Sequence, residues 1–412
     1  MSWAPKNSSI PPTQNINNEL DTFCTVAAAA SRLQNNEMLK ADDLTVMIPY
    51  GSDSTTRVHN FARCIMNLLW NSTAKISVYW SETEEGLGNF VGWHPTSMTP
   101  LVEFFEKHDS STYLRDVSKQ EMKIQSVAAP GTFITKSLVQ ILADICVHKP
   151  LDCFQLPNSV TYGELLEKAT GRKHSEQEPL RLNLLTEAVE KQLSERLTVY
   201  VELRKKGEPF HRMRYLNKLL SVVKTELVCN HDADVMIPSS ALSDSISRLR
   251  NYTTVDVVYP YSATKESQIK FFHGRDTDAR IIKSALTGDF SPLLCGGNYY
   301  LSESMYGLSF FARTDSYKKA YGENENFVSW GPEDVERYYR FCKLGLRVSR
   351  VVDGYVVHLE HERGVDSGNP NPHLESNNVL WQQLQSLTPA QLQEYYRGLE
   401  YPEAYGFLSS NS

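Results

Sequence analysis

The chain has 412 residues and a formal net charge of −7, from 42 basic and 49 acidic side chains. Hydrophobic residues make up 41% and charged residues 22% of the chain, proportions that exclude a disordered or fibrous protein. The acidic balance gives no global positive field for a phosphate backbone, so a nucleic-acid partner is disfavoured, and only a local basic patch could bind one. The length allows two or three domains, or one enzyme fold with insertions.

The cysteines and the apolar runs indicate the compartment. Seven cysteines are scattered along the chain without a Cys-x-x-Cys pair, which favours free thiols in a reducing environment. The first residues lack the apolar stretch of a signal peptide, and no run approaches the roughly 18 apolar residues of a membrane-spanning helix. We therefore expect a cytoplasmic protein without a membrane span.

Strand and helix patterns alternate along the chain. The apolar run at 44–50 predicts a strand, a polar turn follows, and the apolar spacing at 57–69 predicts a helix. Further strands are predicted at 75–80, 197–201, 226–230, 255–259, 346–351 and 355–358. Further helices are predicted at 212–224, 240–250 and 332–343, with a polar helical tail at 379–399. This alternation predicts an α/β fold with right-handed crossovers.

Two aspartates at 232 and 234 are the first candidate for chemistry. They follow the apolar run 227–229, so we expect them at the carboxyl end of a strand, where open α/β sheets bind ligands. Residues two apart in an extended chain share a face, and two carboxylates there suit a divalent ion held against a diphosphate. The same spacing also arises by chance. Asp276 and Asp278 have it without a preceding strand, and we interpret them as a solvated surface pair, so strand context favours Asp232 and Asp234.

His358 and His361 are two imidazoles three residues apart. On an ideal strand their side chains would face opposite ways, so they can bind one metal ion only if the chain turns after Leu359. The alternative is that both are exposed or satisfied structural histidines. Imidazoles combined with a carboxylate favour a transition ion such as Mn²⁺ over Mg²⁺.

The string Trp330-Gly331-Pro332-Glu333-Asp334 places a proline and acidic side chains in the first turn of a predicted helix. One interpretation is a helix start, because acids in that turn interact favourably with the helix dipole. The other is that a carboxylate beside an exposed tryptophan accepts a proton from a sugar hydroxyl stacked on the ring. The local pattern leaves both interpretations open.

The order of these motifs resembles the GT-A glycosyltransferases, most of all the metal-dependent β-1,4-galactosyltransferase and chondroitin-polymerase-like group. FHRMRYLN at 210–217 matches the family string FxRAxxLN at the Phe, Arg, Leu and Asn. WGPEDVE at 330–336 corresponds to WGGEDxD, and a Gly-x-x-x-Ser-Arg strand follows at 345–350. His-x-x-His-x-Arg at 358–363 and Asn-Pro-Asn-Pro at 369–372 complete the order. The combination is far more specific than any one motif.

The resemblance covers roughly 44–80 and 197–372, and it implies a GT-A α/β fold with a Rossmann-like mixed sheet. The block between these two parts is predicted to be mostly helical, and we interpret it as an insertion. The predicted organisation is an N-terminal arm at 1–42, a catalytic domain at 43–85 and 197–375, a helical insertion at 86–196 and a helical C-terminal tail at 376–412.

Carried over residue by residue, the resemblance implies a Mn²⁺ site formed by Asp234, His358 and His361, and a catalytic base at Asp334. The residues implied to contact the nucleotide-sugar donor are Pro49, Tyr50, Arg57, Arg212, Asn217, Asp232 and Gly307. Those implied to line the acceptor and donor pocket are Trp330, Gly331 and Glu333. Two features depart from the family pattern: its Gly-Gly is replaced by Tyr306-Gly307, and its tight Pro-x-Arg turn is stretched to PYGSDSTTR.

The implied activity is metal-dependent, inverting transfer of a sugar from a nucleotide diphosphate donor to an acceptor hydroxyl of a glycan or other glycoconjugate. The donor would be a UDP-sugar of the galactose or N-acetylhexosamine type. Asp334 favours inversion, because retaining N-acetylgalactosaminyltransferases of similar pattern have an asparagine there. Two alternatives remain. One is a non-catalytic nucleotide-sugar-binding scaffold, and the other is a transferase that glycosylates a modified nucleic-acid base, with the basic residues at 172–173 and 204–206 able to form a local patch.

Overall fold

The computed structural model describes part of the chain. The described residues are 32, 37–51, 55–83, 122–124, 191–192, 195–204, 207–262, 270–272, 279–294, 299–301, 306–362, 364 and 371–408. The predicted arm and the predicted insertion therefore lie almost wholly outside the described residues. So do the Asp276-x-Asp278 pair and the first half of the Asn-Pro-Asn-Pro string.

Two sheets organise the described residues. The strands are β1 (Leu44–Tyr50), β2 (Lys75–Thr83), β3 (Met122–Ile124), β4 (Leu197–Arg204), β5 (Leu227–His231), β6 (Val235–Met236), β7 (Val257–Tyr259), β8 (Lys270–Phe272), β9 (Tyr299–Leu301), β10 (Ser309–Arg313), β11 (Val348–Arg350) and β12 (Val357–Leu359). The larger sheet has the order β11-β7-β10-β5-β1-β2-β4-β3, and the smaller one β6-β12-β8-β9.

Parallel pairing dominates the middle of the larger sheet. Strand β1 pairs in parallel with both β2 and β5, and β2 pairs in parallel with β4. Strand β10 is inserted antiparallel between β5 and β7. Every residue of β1 and β5 is buried, as expected for strands covered on both faces. The predicted α/β class with a mixed sheet is confirmed; β10 and most of the smaller sheet were not predicted.

Helices cover the larger sheet and extend beyond it. They are α1 (Thr55–Asn71), α2 (Arg212–Val222), α3 (Ser239–Asn251), α4 (Ala279–Thr287), α5 (Ser291–Leu294), α6 (Thr314–Lys319), α7 (Glu333–Lys343), α8 (Leu374–Ser386), α9 (Pro389–Arg397) and α10 (Glu400–Ala404). The predicted helices at 57–69, 212–224, 240–250 and 332–343 match α1, α2, α3 and α7 within two residues at each end.

The C-terminal tail contains three short helices where one was predicted. The buried ring of Tyr396 on α9 stacks on Tyr321, with 5.2 Å between ring centroids, and its hydroxyl donates to Glu336 of α7 at 2.6 Å. Leu384 and Leu392 are buried in the same core as the strands. The tail therefore packs against α7, the helix that begins at Glu333, and so supports one wall of the site described below.

No helix within the described part of the chain combines the length and the apolar character needed to cross a membrane. The division into domains and the cytoplasmic location stay predictions.

Candidate functional site

The Asp232-x-Asp234 pair lies where β5 ends beside β1, at the carboxyl edge of two parallel strands. The expectation that both carboxylates share one face of an extended chain is wrong. The amide of Val235 donates to the carbonyl of Asp232 at 3.2 Å, so the chain turns between the two aspartates. As a result Asp234 faces the two histidines and Asp232 faces Arg212.

His358 and His361 converge on Asp234. His361 Nε2 lies 2.9 Å from Asp234 Oδ2, and His358 Nε2 lies 3.5 Å from Oδ1. Strand β12 ends at Leu359, and the amide of Asn60 on α1 donates to the carbonyls of Leu359 (3.0 Å) and Glu360 (3.3 Å). The turn that the sequence required is therefore present, and a buried side chain from α1 holds it.

These three side chains fit a divalent metal ion. Their ligand atoms all lie within 4.8 Å of one another. Two ligands bound at right angles to one ion, each at about 2.1 Å, lie about 3 Å apart, close to the separation of the Asp234 and His361 atoms. Asp234 Oδ1 is buried and has no hydrogen-bond partner among the described residues. One carboxylate with two imidazoles suits a transition ion such as Mn²⁺.

Contacts within this cluster change the pKa values of Asp234 and His361. Burial raises the pKa of Asp234, but the imidazoles of His358 and His361 outweigh burial and hold that pKa below its usual value. Burial lowers the pKa of His361, but the hydrogen bond to Asp234 and the negative charge of Asp234 together outweigh burial and raise that pKa. Asp234 is therefore ionised at neutral pH, which is the form that binds a cation.

Arg212 connects the turn at residues 232–235, called the aspartate turn below, to the start of α7. Its Nε and Nη2 donate to Asp232 Oδ1 at 3.0 and 2.7 Å, and its Nη1 donates to Asp334 Oδ1 at 3.4 Å. Arg212 is the first residue of α2, so its guanidinium projects from a helix end. The side chains predicted to bind the donor and to act as base are thus joined through one cation.

The two carboxylates that Arg212 joins have different pKa values. Burial, together with the nearby Asp234 and Asp334, raises the pKa of Asp232 to about 6 despite Arg212. Burial also raises the pKa of Asp334, but Arg337 and Arg212 outweigh it and hold this pKa below its usual value. Asp334 is therefore an ionised acceptor at neutral pH, as a base must be.

Arg337 holds Asp334 from one turn further along α7. Its Nη2 donates to Asp334 Oδ1 at 2.7 Å and to the carbonyl of Tyr306 at 2.9 Å, and its Nη1 donates to Glu323. Gly307 closes the other side, because a Cβ built there would lie less than 3.0 Å from Asp334 Oδ2. The residue predicted as a donor contact thus lies against the predicted base.

The backbone at 306–308 is held from three directions. The carbonyl of Tyr306 accepts from Arg337, that of Gly307 accepts from the hydroxyl of buried Tyr261 at 2.6 Å, and that of Leu308 accepts from the amide of Asp232 at 2.9 Å. Leu308 has φ of 69°, a left-handed conformation that is costly for a side chain with a Cβ. This short segment therefore contacts both carboxylate residues: it is hydrogen-bonded to the backbone of Asp232, and Gly307 lies against the side chain of Asp334.

The predicted acceptor pocket residues surround the start of α7. Trp330 is 41% exposed, and its carbonyl accepts from Asn371 and Asn377. Gly331 lies so close to Asn377 that a Cβ would be 2.8 Å from its Nδ2. Glu333 is buried, and burial with the neighbouring Asp334 charge raises its pKa well above the usual value. The structure thus places an exposed indole and a buried carboxyl with a raised pKa at the start of α7.

The other residues predicted to contact the donor lie at the end of β1, at the metal cluster and on α2. Pro49 and Tyr50 are the last residues of β1, and the buried ring of Tyr50 stacks on Phe61 with 4.0 Å between centroids. Arg57 Nε donates to His361 Nδ1 at 3.3 Å, so its cation lies at the metal cluster. Asn217 instead holds the chain at Glu323: its Oδ1 accepts from the amide of Glu323 at 2.7 Å.

Three positioning residues were missed by sequence reasoning: Asn60, Glu323 and Arg337. Arg337 is three residues after Asp334 on a predicted helix, a spacing that places both on one face, so this signal was available. Glu323 and Asn60 are connected to the site only through tertiary contacts, and nothing in their local sequence indicates a role.

The family described as the N-terminal domain of galactosyltransferase matches residues 296–362. This span contains β10, α7, the 306–308 segment, Asp334 and both cluster histidines. It excludes the aspartate turn and Arg212, and it is a minority of the chain. No curated protein matches the chain.

Three solved glycosyltransferase structures are similar to the chain at low scores. The catalytic domain of Drosophila β1,4-galactosyltransferase 7 in complex with xylobiose is 16% identical, with a TM-score of 0.23, over 38% of this chain and 53% of that one. The mannosyltransferase PcManGT from Pyrobaculum calidifontis, in complex with GDP-Man and Mn²⁺, is 12% identical, with a TM-score of 0.35, over 94% and 88%. GalNAc-T7 with UDP, GalNAc and Mn²⁺ is 10% identical, with a TM-score of 0.37, over 90% and 56%. Scores this low carry no argument about activity.

Proposed function

We propose that the protein is a metal-dependent, inverting glycosyltransferase of the GT-A type that moves a sugar from a nucleotide diphosphate donor to an acceptor hydroxyl. The observation that carries this proposal is the continuous set of contacts from His361 through Asp234 to the aspartate turn, and from Asp232 through Arg212 to Asp334. A cation site, a phosphate-binding cation and an ionised carboxylate are thereby adjacent, which is the combination that departure of a diphosphate and deprotonation of a hydroxyl require.

Each group has a defined task in this proposal. Asp234, His358 and His361 would hold Mn²⁺ or another divalent cation, which neutralises the charge of the leaving diphosphate. Arg212 donates to the diphosphate oxygens, because a planar guanidinium matches phosphate geometry. Asp334 accepts the proton of the acceptor hydroxyl as that oxygen attacks the anomeric carbon. One displacement inverts the configuration at that carbon.

The donor in this proposal is a UDP-sugar of the galactose or N-acetylhexosamine type, and the acceptor is a glycan or glycoconjugate. The match to a galactosyltransferase domain over 296–362 supports this donor class. The exposed indole of Trp330, four residues before Asp334 in the chain, supports a sugar acceptor, because pyranose rings stack on aromatic faces.

A screen of nucleotide sugars tests the proposal. The purified protein is incubated with UDP-, GDP- and CMP-sugars, with Mn²⁺ or with EDTA, and nucleotide release is measured with and without oligosaccharide acceptors. We expect release that requires the metal and is fastest with a UDP-hexose. Asp234→Asn should abolish Mn²⁺ binding in calorimetry, because Asp234 is the one anionic ligand that the described residues contribute to the cluster.

Asp334→Asn separates catalysis from binding. The amide cannot accept the hydroxyl proton, so transfer should be lost while donor affinity stays within a few-fold of wild type. Wild-type transfer by this variant would disprove the base assignment. Absence of metal-dependent nucleotide release from every donor would favour a non-catalytic scaffold instead. Acceptor binding by modified DNA or RNA with a steep salt dependence would favour a transferase acting on nucleic-acid bases.

A further inference from the structure

We propose that Arg337 is the positioning residue for the base: it holds Asp334 by Oδ1 and leaves Oδ2 to receive the acceptor proton. This inference rests on the proposed function and adds a residue that the glycosyltransferase resemblance does not assign. Arg337 itself touches no reacting atom in this proposal. It acts through the carboxylate that lies one turn before it on α7.

The contacts of Arg337 fix its guanidinium rigidly. Nη1 donates to both carboxylate oxygens of Glu323 at 3.1 Å, and Nη2 donates to Asp334 Oδ1 and the carbonyl of Tyr306. The group also lies over the ring of Phe310, 4.6 Å from its centroid. Arg337 and Glu323 are each only 1% exposed. A guanidinium whose two terminal nitrogens are both hydrogen-bonded and whose face lies on an aromatic ring has a single orientation. Its hydrogen bond to Oδ1 therefore fixes the orientation of the Asp334 carboxylate.

Glu323 is in turn anchored from the central sheet. Its carboxylate accepts from the amide of Asn230 on β5 at 3.2 Å and from the hydroxyl of Tyr317. Its backbone amide donates to Asn217 of α2. The orientation of Asp334 is therefore determined by a chain of buried contacts that begins in the core of the larger sheet.

The two oxygens of Asp334 are not equivalent. Among the residues that the structure describes, every hydrogen bond to this carboxylate reaches Oδ1, from Arg337 and Arg212. Oδ2 lies against the backbone of Gly307, where only the absence of a Cβ leaves space for this oxygen, and it accepts no hydrogen bond from a described residue. The Asp334 side chain is 25% exposed, so Oδ2, the oxygen that neither arginine holds, is the one that we assign to a substrate hydroxyl.

The charges around Asp334 make this positioning measurable. The titratable and charged groups that interact with it are Arg337 and Glu333 from α7, Arg212 from α2, Asp232 from the turn after β5, and the buried tyrosines Tyr259 of β7 and Tyr261 just after it. Without Arg337, only Arg212 would oppose burial and the neighbouring carboxyl groups. The pKa of Asp334 would rise, so the base would take up a proton at a higher pH than in the wild-type protein. A residue that merely fills space would leave this titration unchanged.

The test compares Arg337→Gln and Arg337→Lys with Arg340→Gln. Arg340 is an equally buried arginine one turn further on α7; it pairs with Glu336 and has no contact with Asp334, so Arg340→Gln controls for the loss of a buried ion pair. For Arg337→Gln we expect kcat to fall about 100-fold and the acidic limb of the pH–rate profile to move up by about one pH unit or more. For Arg337→Lys we expect kcat to fall about tenfold, while the acidic limb of the pH–rate profile stays near its wild-type position. Lysine keeps the positive charge but lacks the guanidinium that donates to two partners at once.

Three results would overturn the inference. One is Arg337→Lys with kcat within twofold of wild type. The second is Arg340→Gln with a loss of kcat as large as that of Arg337→Gln, per folded protein. The third is a pKa of Asp334 in Arg337→Gln that equals the wild-type value. This pKa is measured by carbon NMR of protein with labelled aspartate, and the Asp334→Asn variant identifies the Asp334 signal. The NMR titration needs no enzyme activity, so it tests the role of Arg337 independently of sugar transfer. A wild-type protein that transfers no sugar would refute the proposed function, whereas an unchanged Asp334 titration would refute the role of Arg337. If Arg337→Gln does not fold, Arg337→Lys decides alone.

Discussion

Substitution of Gly307 by alanine would displace the proposed base with little other effect. A Cβ at this position would lie less than 3.0 Å from Asp334 Oδ2, and every atom that it would crowd belongs to the Asp334 side chain. Gly307 has an ordinary negative-φ backbone, so an alanine is compatible with the chain at that point. The strain therefore has one outlet, which is movement of the carboxylate.

The size of that movement sets the expected effect. To restore ordinary van der Waals contact the carboxylate must retreat by about 1 Å. Arg337 and Arg212 hold the opposite oxygen, so the retreat also lengthens their hydrogen bonds. A displacement of about 1 Å at a reacting group costs about 100-fold in rate, so we expect kcat to fall by about that factor. Folding should be destabilised by only about 1 kcal/mol, since one side chain moves.

The assay measures initial rates of sugar transfer over a range of donor concentrations at saturating Mn²⁺, together with donor affinity by calorimetry. The loss should fall on kcat, with donor affinity changed less than about threefold. The matched control is Gly398→Ala, where a Cβ would make only ordinary contacts with the last turn of α9 and kcat should be unchanged. Wild-type kcat in Gly307→Ala, or an equal loss in the control, would refute the reasoning.

Two further predictions concern metal binding and pH. Asn60→Ala removes both hydrogen bonds to the carbonyls between the cluster histidines, so we expect Mn²⁺ affinity in calorimetry to fall at least about tenfold. Burial and Arg214 lower the pKa of His211 to about 4, so the folded state resists a proton that the unfolded state accepts. As the pH falls from 7 to 5, the free energy of unfolding should therefore fall by about 2 kcal/mol because of His211. The variant His211→Asn keeps a hydrogen-bond acceptor at the start of α2, and its free energy of unfolding, measured by urea denaturation, should lack this pH dependence.

Each of these predictions has its own control. Asn71→Ala removes a buried amide from the same helix. This amide donates to the carbonyls of Asn67 and Ala285 and accepts from the hydroxyl of Ser239, so the substitution should cost stability and leave Mn²⁺ affinity unchanged. Equal affinity losses in Asn60→Ala and Asn71→Ala would show a general effect of α1. For His211, parallel stability curves of wild type and His211→Asn across this pH range would contradict the assigned shift.

The metal cluster shows how far the sequence could lead. Residue chemistry and the order of the motifs pointed to Asp234, His358 and His361, and the structure brings these three together. Spacing alone left the histidines facing opposite ways unless the chain turned after Leu359. The turn depends on an amide from α1, about 300 residues earlier in the chain, and no local pattern contains that information.

The aspartate pair shows where local reasoning failed. An extended chain would place both carboxylates on one face, but the chain turns between Asp232 and Asp234, and the carbonyl of Asp232 accepts from Val235. Periodicity describes elements and not the few residues that connect them, so the geometry of a turn after a strand cannot be predicted from alternation. The consequence is a division of tasks, with Asp234 at the cation cluster and Asp232 on Arg212.

By itself the sequence determined the α/β class and the main strands and helices of the described residues, because hydrophobic periodicity is local. The order of its motifs, through their resemblance to GT-A glycosyltransferases, also indicated which side chains could hold a cation, bind a phosphate and accept a proton. The tertiary structure alone decided that Arg212 joins Asp232 to Asp334, that Gly307 lies against Asp334 Oδ2, and that Arg337 reaches the core through Glu323. These relations depend on the packing of distant elements, because the contacts that orient a site come from buried partners brought together only when the chain folds.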